Sequence, residues 1–582
     1  MKILLAAINA KYIHSNLAVY SLQTYSGRSK EEVEIKEYTI NQYVDDILVD
    51  LYEARPDVVA FSCYIWNVEM VRELAIELKK VLPQVPIWVG GPEVSYEIET
   101  FLKENPAIFG VIVGEGEETF RELANYYLEQ RGALGEIAGL CYRQGEEFVC
   151  TPMRKMMEMD RLPFPYENME NFQHKIVYYE TSRGCPFRCS YCLSSIEKQV
   201  RLRDLSLVKK ELDFFLEHKV PQVKFIDRTF NCNHAHAMAI WSYIKEHDNG
   251  ITNFHFEISA DLLNEEELVL LQTMRIGLVQ LEIGVQSTHP ETIAGIHRKM
   301  NLEKLSYAVG RIAEGENIHQ HLDLIAGLPY EDYETFRHSF NDVFAMQPNQ
   351  LQLGFLKVLK GSRMYEEQGQ HGIVYKSKAP YEVLSTKWLT YEEVLRLKAV
   401  EEMVERYYNS CQFSNSVSYL LHFYTSPFDF FQALGLYVKA HAQLGHQYGR
   451  LARYEQLLDF VKDTKPELVE PLCELLVYDV YLRENSKTRP SFAPNIDGYK
   501  DVYYDTCKEI QNRLEEGREE RYAHYQGYQA RQLVRMLHFD YFTFDLESLV
   551  KEGIQKKKPQ HLVFDYQKRH PLSLEATVLP IN

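Results

Sequence analysis

The chain has 582 residues, a formal net charge of −19, and a composition that is 45% hydrophobic and 25% charged. That length predicts about three or four domains with room for large cores, and the composition excludes a disordered or fibrous chain. The acidic balance argues against a nonspecific nucleic-acid reader, which would be basic, and ten cysteines are too few for a disulfide scaffold in a chain this long.

Met1–Ile8 is apolar, but Asn9 and Lys11 interrupt the run and no small-residue cleavage site follows. It reads as a first buried strand rather than a signal peptide. No stretch of 18 apolar residues predicts a transmembrane helix, and the expected compartment is the cytoplasm. The spacing then predicts strands over 3–8, 33–38, 57–62, 86–91 and 108–113, alternating with helices over 14–25, 44–53, 68–81 and 117–130. Continuous apolar strands separated by helices imply a doubly wound, Rossmann-like parallel sheet, spanning residues 1–150. Pro152, Pro163 and Pro165 among charged residues mark residues 151–174 as a linker. The rhythm restarts with strands over 176–181, 222–227, 253–259, 278–285, 319–325 and 350–358, which predicts a partial (βα)6 barrel over residues 175–375. Residues 376–582 read as mainly helical, with helices over 391–408, 427–444, 454–462 and 469–483 and a strand near 561–565. Ser426 before Pro427 fits a helix N-cap.

One loop carries most of the chemistry. Cys185, Cys189 and Cys192 lie in Thr181-Ser-Arg-Gly-Cys-Pro-Phe-Arg-Cys-Ser-Tyr-Cys192, with C-x3-C-x2-C spacing. Three thiolates on one tight loop can hold three irons of a 4Fe-4S cubane and leave the fourth open to a substrate or cofactor. A zinc site would favour two C-x2-C pairs or a cysteine–histidine set, and no second pair exists. The other seven cysteines, such as Cys63, Cys232 and Cys473, are scattered and read as small hydrophobes. Downstream, acidic or amide residues stand at successive strand ends: Asp227, Glu257, Glu282 with Gln286, and Asp323. Arg298 follows the fourth strand. Such groups can bond ribose hydroxyls, an ammonium or a carboxylate, and Gly284 and Gly327 allow close backbone approach.

This pattern resembles the radical S-adenosylmethionine (radical SAM) family. The resemblance implies that Cys185, Cys189 and Cys192 bind the cluster and that Tyr191 borders the adenine. It also implies that Asp227, Glu257, Glu282, Gln286, Arg298 and Asp323 surround S-adenosylmethionine, Arg298 at its carboxylate. Asp227 is the only acidic candidate for the amino group, because the Phe225-Ile-Asp-Arg-Thr-Phe230 stretch departs from the family's glycine-glycine-acidic element. In that family an electron from the reduced cluster cleaves the sulfonium and generates a 5′-deoxyadenosyl radical.

The amino-terminal module resembles the cobalamin-binding domain fused to one branch of the family, on Gly90-Gly91-Pro-Glu93 and Val113-Gly-Glu-Gly-Glu-Glu-Thr119. That implies a cobalamin site at Asn9, Tyr12, His14, Gly90, Gly91, Gly114, Glu115 and Gly116, with Tyr64 and Trp66 nearby. No Asp-x-His-x-x-Gly sequence is present, so the expected corrin is held by shape and hydrogen bonds, without a histidine beneath the cobalt. The carboxyl-terminal part resembles a helical extension found in one subgroup. The implied activity is methyl transfer to, or rearrangement of, a small-molecule substrate, with electrons from an external flavodoxin or ferredoxin. Radical sulfur insertion, as in methylthiotransferases, would bring a second cluster and an RNA-binding tail, and neither is evident. A non-enzymatic cobalamin or cluster sensor is the remaining alternative.

Overall fold

The computed structural model describes residues 1–580 apart from 168, 442–443, 446–447, 487, 496–498 and 519. Its first sheet contains β1 (Ile3–Asn9), β2 (Val33–Thr39), β3 (Val58–Ser62), β4 (Ile87–Gly90), β5 (Gly110–Ile112), β6 (Leu140–Gln144) and β7 (Glu147–Cys150), in the order β2-β1-β3-β4-β5-β6-β7. β1 to β5 are parallel. Every residue of β1 and β3 is buried, as expected of strands with helices on both faces. The order reverses between β1 and β3, and the crevice beyond the carboxyl ends of such strands is where doubly wound sheets bind ligands.

β6 and β7 form an antiparallel edge hairpin that the sequence pattern does not reveal. Cys141 and Cys150 face each other across it and are joined as a disulfide. This corrects their reading as scattered hydrophobes, because cross-strand register brings together thiols nine residues apart. The segment expected to be a linker is also packed: Met157, Met159, Leu162, Tyr166 and Phe172 are buried. Its prolines punctuate an apolar strap.

The second sheet contains β8 (Val177–Tyr179), then, past the short antiparallel ribbon of β9 (Ser182–Arg183) and β10 (Arg201–Leu202), β11 (Gln222–Phe225), β12 (Asn253–Ile258), β13 (Val279–Gln286), β14 (His319–Ala326) and β15 (Gln350–Phe355). The order β15-β14-β13-β12-β11-β8 places each strand beside its successor in the sheet, and β8, β11, β12, β13 and β14 run parallel. This is the arrangement of an open (βα) barrel.

The chain forms two compact units, residues 1–336 with 354–391, and residues 337–353 with 392–582. Both parallel sheets therefore belong chiefly to one body. The second unit is built from helices such as Pro427–Ala440, Arg450–Thr464 and Val469–Arg483. Ser426 Oγ accepts from Asp429 N and caps the first of these. The predicted helix over 391–408 divides into Tyr391–Met403 and a π-helical turn at Val404–Asn409. Three antiparallel strands complete the unit: β16 (Leu537–Phe544), β17 (Lys557–Arg569) and β18 (Ala576–Pro580). Among the described residues no helix is long and apolar enough to cross a membrane.

Candidate active site

The cysteine loop leaves the carboxyl end of β8 and returns through β10. Gly184 sits at φ +93, and a Cβ there would lie 2.3 Å from the carbonyl oxygen of Gln199, so only glycine allows the strand to turn this tightly. Cys185 N donates to Glu197 O, and Cys192 N to Cys189 O. Cys185 and Cys189 are buried, and Cys192 is half-buried. All three line a cavity of about 190 Å³ together with Tyr191, Glu257, Glu282, Gln286, Arg298 and Asp323. The structure thus gathers at one place residues drawn from the loop and from the ends of β12, β13 and β14. Among the described residues, no three His, Cys, Asp or Glu side chains converge as ligands of a single metal ion. A cubane does not require that, since each thiolate binds a different iron.

The cavity wall is polar and partly unsatisfied. Gln286 ends β13 at φ +73, where a register shift interrupts the ladder. Its Oε1 is buried without a hydrogen-bond partner, as is Nε of Arg298. Buried polar atoms left unpaired are costly and point to a missing ligand. Arg298 otherwise bonds Gly284 O, Tyr191 Oη and, at 3.8 Å, Cys189 Sγ. Burial opposes ionisation of Glu282, but His255 at 3.1 Å and Lys224 at 2.8 Å hold its carboxyl well below the usual range. Burial pushes Glu257 up to about 7. Arg228 opposes that shift and Glu282 adds to it. Asp323 lies 3.0 Å from His321.

Asp227 does not join this group. It is 1% exposed and accepts hydrogen bonds from Thr181 N, Thr181 Oγ1 and Ser182 Oγ. Its oxygens are turned back toward the strand before the cysteines, so it anchors the loop and does not line the cavity.

A larger cavity of about 470 Å³ opens at the carboxyl ends of β1 and β3 to β5. Asn9, His14, Gly90, Gly91, Gly114 and Gly116 line it, as expected. At Gly91, φ is +122 and a Cβ would stand 2.4 Å from Cys63 O. A side chain at Gly91 would therefore collide with the backbone just beyond β3, and glycine is what this turn at the cavity wall admits. Two expected residues stand apart. Tyr12 is exposed, with Lys175 Nζ over its ring, and Glu115 pairs with Arg183 and Arg201. Asn16, Ser62, Glu180, Arg183 and Arg228 also line the cavity without having been singled out for it, alongside Tyr64 and Trp66, whose rings stack at 4.3 Å. Strand-end position is the signal that would have found Ser62 and Arg228. Arg228 lines both cavities, and among the described residues its guanidinium has no hydrogen-bond or ion-pair partner.

The donor sets fit the groups implied by the sequence. Three cysteines with polar strand ends suit a cluster and S-adenosylmethionine, and a glycine-lined crevice suits a corrin.

Residues 3–124 match the B12 binding domain, residues 179–343 the radical SAM superfamily, and residues 369–564 a family described as a protein of unknown function (DUF4080). The chain is 28% identical over 309 residues to the cobalamin-dependent radical SAM methyltransferase TokK of Streptomyces tokunonensis, covering 48% of this chain and 44% of that one. It thus spans about half the length of the curated relatives it matches. The fold is shared with two solved structures. One is the radical S-adenosylmethionine methyltransferase TsrM of Kitasatospora setae with cobalamin and a 4Fe-4S cluster bound (TM-score 0.54, 20% identity, 65% of this chain and 81% of that one). The other is the cobalamin-dependent S-adenosylmethionine radical enzyme OxsB with aqua-cobalamin bound (TM-score 0.58, 14% identity, 82% and 80%).

Proposed function

We propose, for a chain that is a radical SAM protein with a B12-binding domain and a carboxyl-terminal region of unknown function, that it uses S-adenosylmethionine and cobalamin together to methylate or rearrange a small-molecule substrate. The observation that carries this reading is that Arg228 lines two cavities, one also lined by the three cysteines and the other by the glycine turns. When bound, the cluster supplies the electron that breaks the sulfonium bond, and the corrin supplies a transferable methyl group or a second reactive centre.

The chain's own tasks are placement and exclusion of water. Cys185, Cys189 and Cys192 hold the irons. Tyr191 borders the adenine, and Gln286, Glu257 and Asp323 offer acceptors to hydroxyl and ammonium groups. Arg298 holds the methionine carboxylate from its position against the cysteine loop. Glu282, kept ionised by Lys224 and His255, supplies a fixed negative charge. Arg228, which lines both cavities, is the residue offered to the substrate.

The test is anaerobic reconstitution with iron, sulfide, cobalamin and a strong reductant. The wild-type chain is expected to release 5′-deoxyadenosine or S-adenosylhomocysteine from S-adenosylmethionine, and Cys185→Ala to release neither while still retaining cobalamin. Turnover that survives in Cys185→Ala would overturn the assignment.

A further inference from the structure

The loop after β1 brings one imidazole into the larger cavity. Asn16 caps the helix Leu17–Ser26 by accepting from Val19 N, so that helix begins three residues beyond His14. The loop is pinned from both sides. Asn9 Nδ2 donates to His14 O at 3.1 Å, Ile176 N to Ile13 O at 2.7 Å, and Ser15 Oγ to Ile176 O at 2.9 Å. The ring itself is oriented by a hydrogen bond of 2.7 Å between Nδ1 and the hydroxyl of Tyr178.

We propose that His14 is an axial ligand of cobalt in the bound corrin, through Nε2. The inference rests on the cobalamin reading above and goes beyond it, since that reading requires only that the corrin be held by shape. Among the residues lining the cavity, His14 is the one imidazole, and no thiol or thioether joins it. Among the described residues nothing bonds its Nε2. A metal-ligating histidine characteristically engages its second ring nitrogen with a fixed polar partner, which sets the tautomer and the ring plane. Tyr178 is that partner here. Glu117 and Glu180, the carboxylates on the same wall, each pair with Arg183 at 2.5 Å.

The test is electron paramagnetic resonance of the full chain loaded with unlabelled cobalamin and reduced to the cobalt(II) state. The expected spectrum shows a nitrogen triplet on the cobalt lines, which becomes a doublet when the protein is grown with 15N-histidine. The unlabelled dimethylbenzimidazole of the corrin cannot produce that change. His14→Ala and His14→Gln are expected to keep the corrin and lose the doublet. Corrin retained without nitrogen splitting, or with a triplet unaffected by the label, would overturn the assignment and leave the cobalamin reading intact. A chain that retains no corrin would overturn both. Because the labelled wild-type chain itself identifies a histidine ligand, the test survives a variant that fails to fold.

Discussion

Glu257 and Glu282 are cross-strand partners on β12 and β13 and line the same cavity, yet their surroundings drive their ionisation apart. Glu282 has a lysine and a histidine within 3.1 Å. Among the described residues Glu257 has no such close cation, and it is pushed up to about 7, first by burial. The two carboxylates thus divide into one fixed charge and one acid able to exchange a proton near neutrality. The sign of the linkage follows. Below the ordinary value near 4.5, Glu257 is neutral in both folded and unfolded chains and imposes no penalty. As pH rises, the unfolded chain ionises first and stability falls, until the penalty is complete above about 7. Glu257→Gln is therefore expected to stabilise the cofactor-free chain above pH 7 by up to about 3 kcal/mol, with the gain shrinking toward pH 4.5. Thermal midpoints across that range check it, and a variant no more stable than wild type at pH 8 would mean that the carboxylate is paired.

At the scale of elements, two glycine-dependent turns shape the two cavities. Gly184→Ala would force a Cβ to within 2.3 Å of a carbonyl oxygen at a positive φ, a strain of about 1–3 kcal/mol. The expected outcome is a chain that folds but binds substoichiometric iron after reconstitution, read as iron per protein and the loss of charge-transfer absorption. The turn was legible in the sequence because Arg183-Gly-Cys-Pro186 is local chemistry. The parallel strands of both sheets were legible too, as apolar runs of the right length. Other elements were not. The pattern predicts a helix from residue 14, but Asn16 also donates to Ser62 Oγ and its backbone N–H is held by Glu37, so the helix starts at Leu17. The hairpin of β6 and β7 was missed because an edge hairpin with a half-exposed second strand has little periodicity to read. Asp227 was placed at the ligand by its strand-end position, but its hydrogen bonds to Thr181 and Ser182 claim it for the loop.

Across the whole first unit, the two parallel sheets are tied by a charge network centred on the cysteine loop. Arg183 pairs with Glu117 and Glu180 at 2.5 Å and with Glu115 at 3.3 Å, while Arg201 joins Glu115 at 2.5 Å. Glu117 is 7% exposed, so removing its partner strands a buried carboxylate. Arg183→Leu is expected to destabilise the unit by about 3–5 kcal/mol and to weaken cobalamin retention, measured by calorimetry and by corrin absorbance after gel filtration. An unchanged thermal midpoint would show that the network contributes nothing net. The sequence by itself determined the cluster loop, the two βα rhythms and part of the strand-end set that lines the cavities, because each is encoded by neighbours within a few positions. Only the tertiary structure decided that Asp227 is an anchor, that the proline-rich strap is packed, that Arg228 borders both cavities, and that His14 lines the larger one beside Tyr178. Those roles depend on hydrogen bonds and burial between residues far apart in the chain, such as His14 and Tyr178, and no local pattern records them.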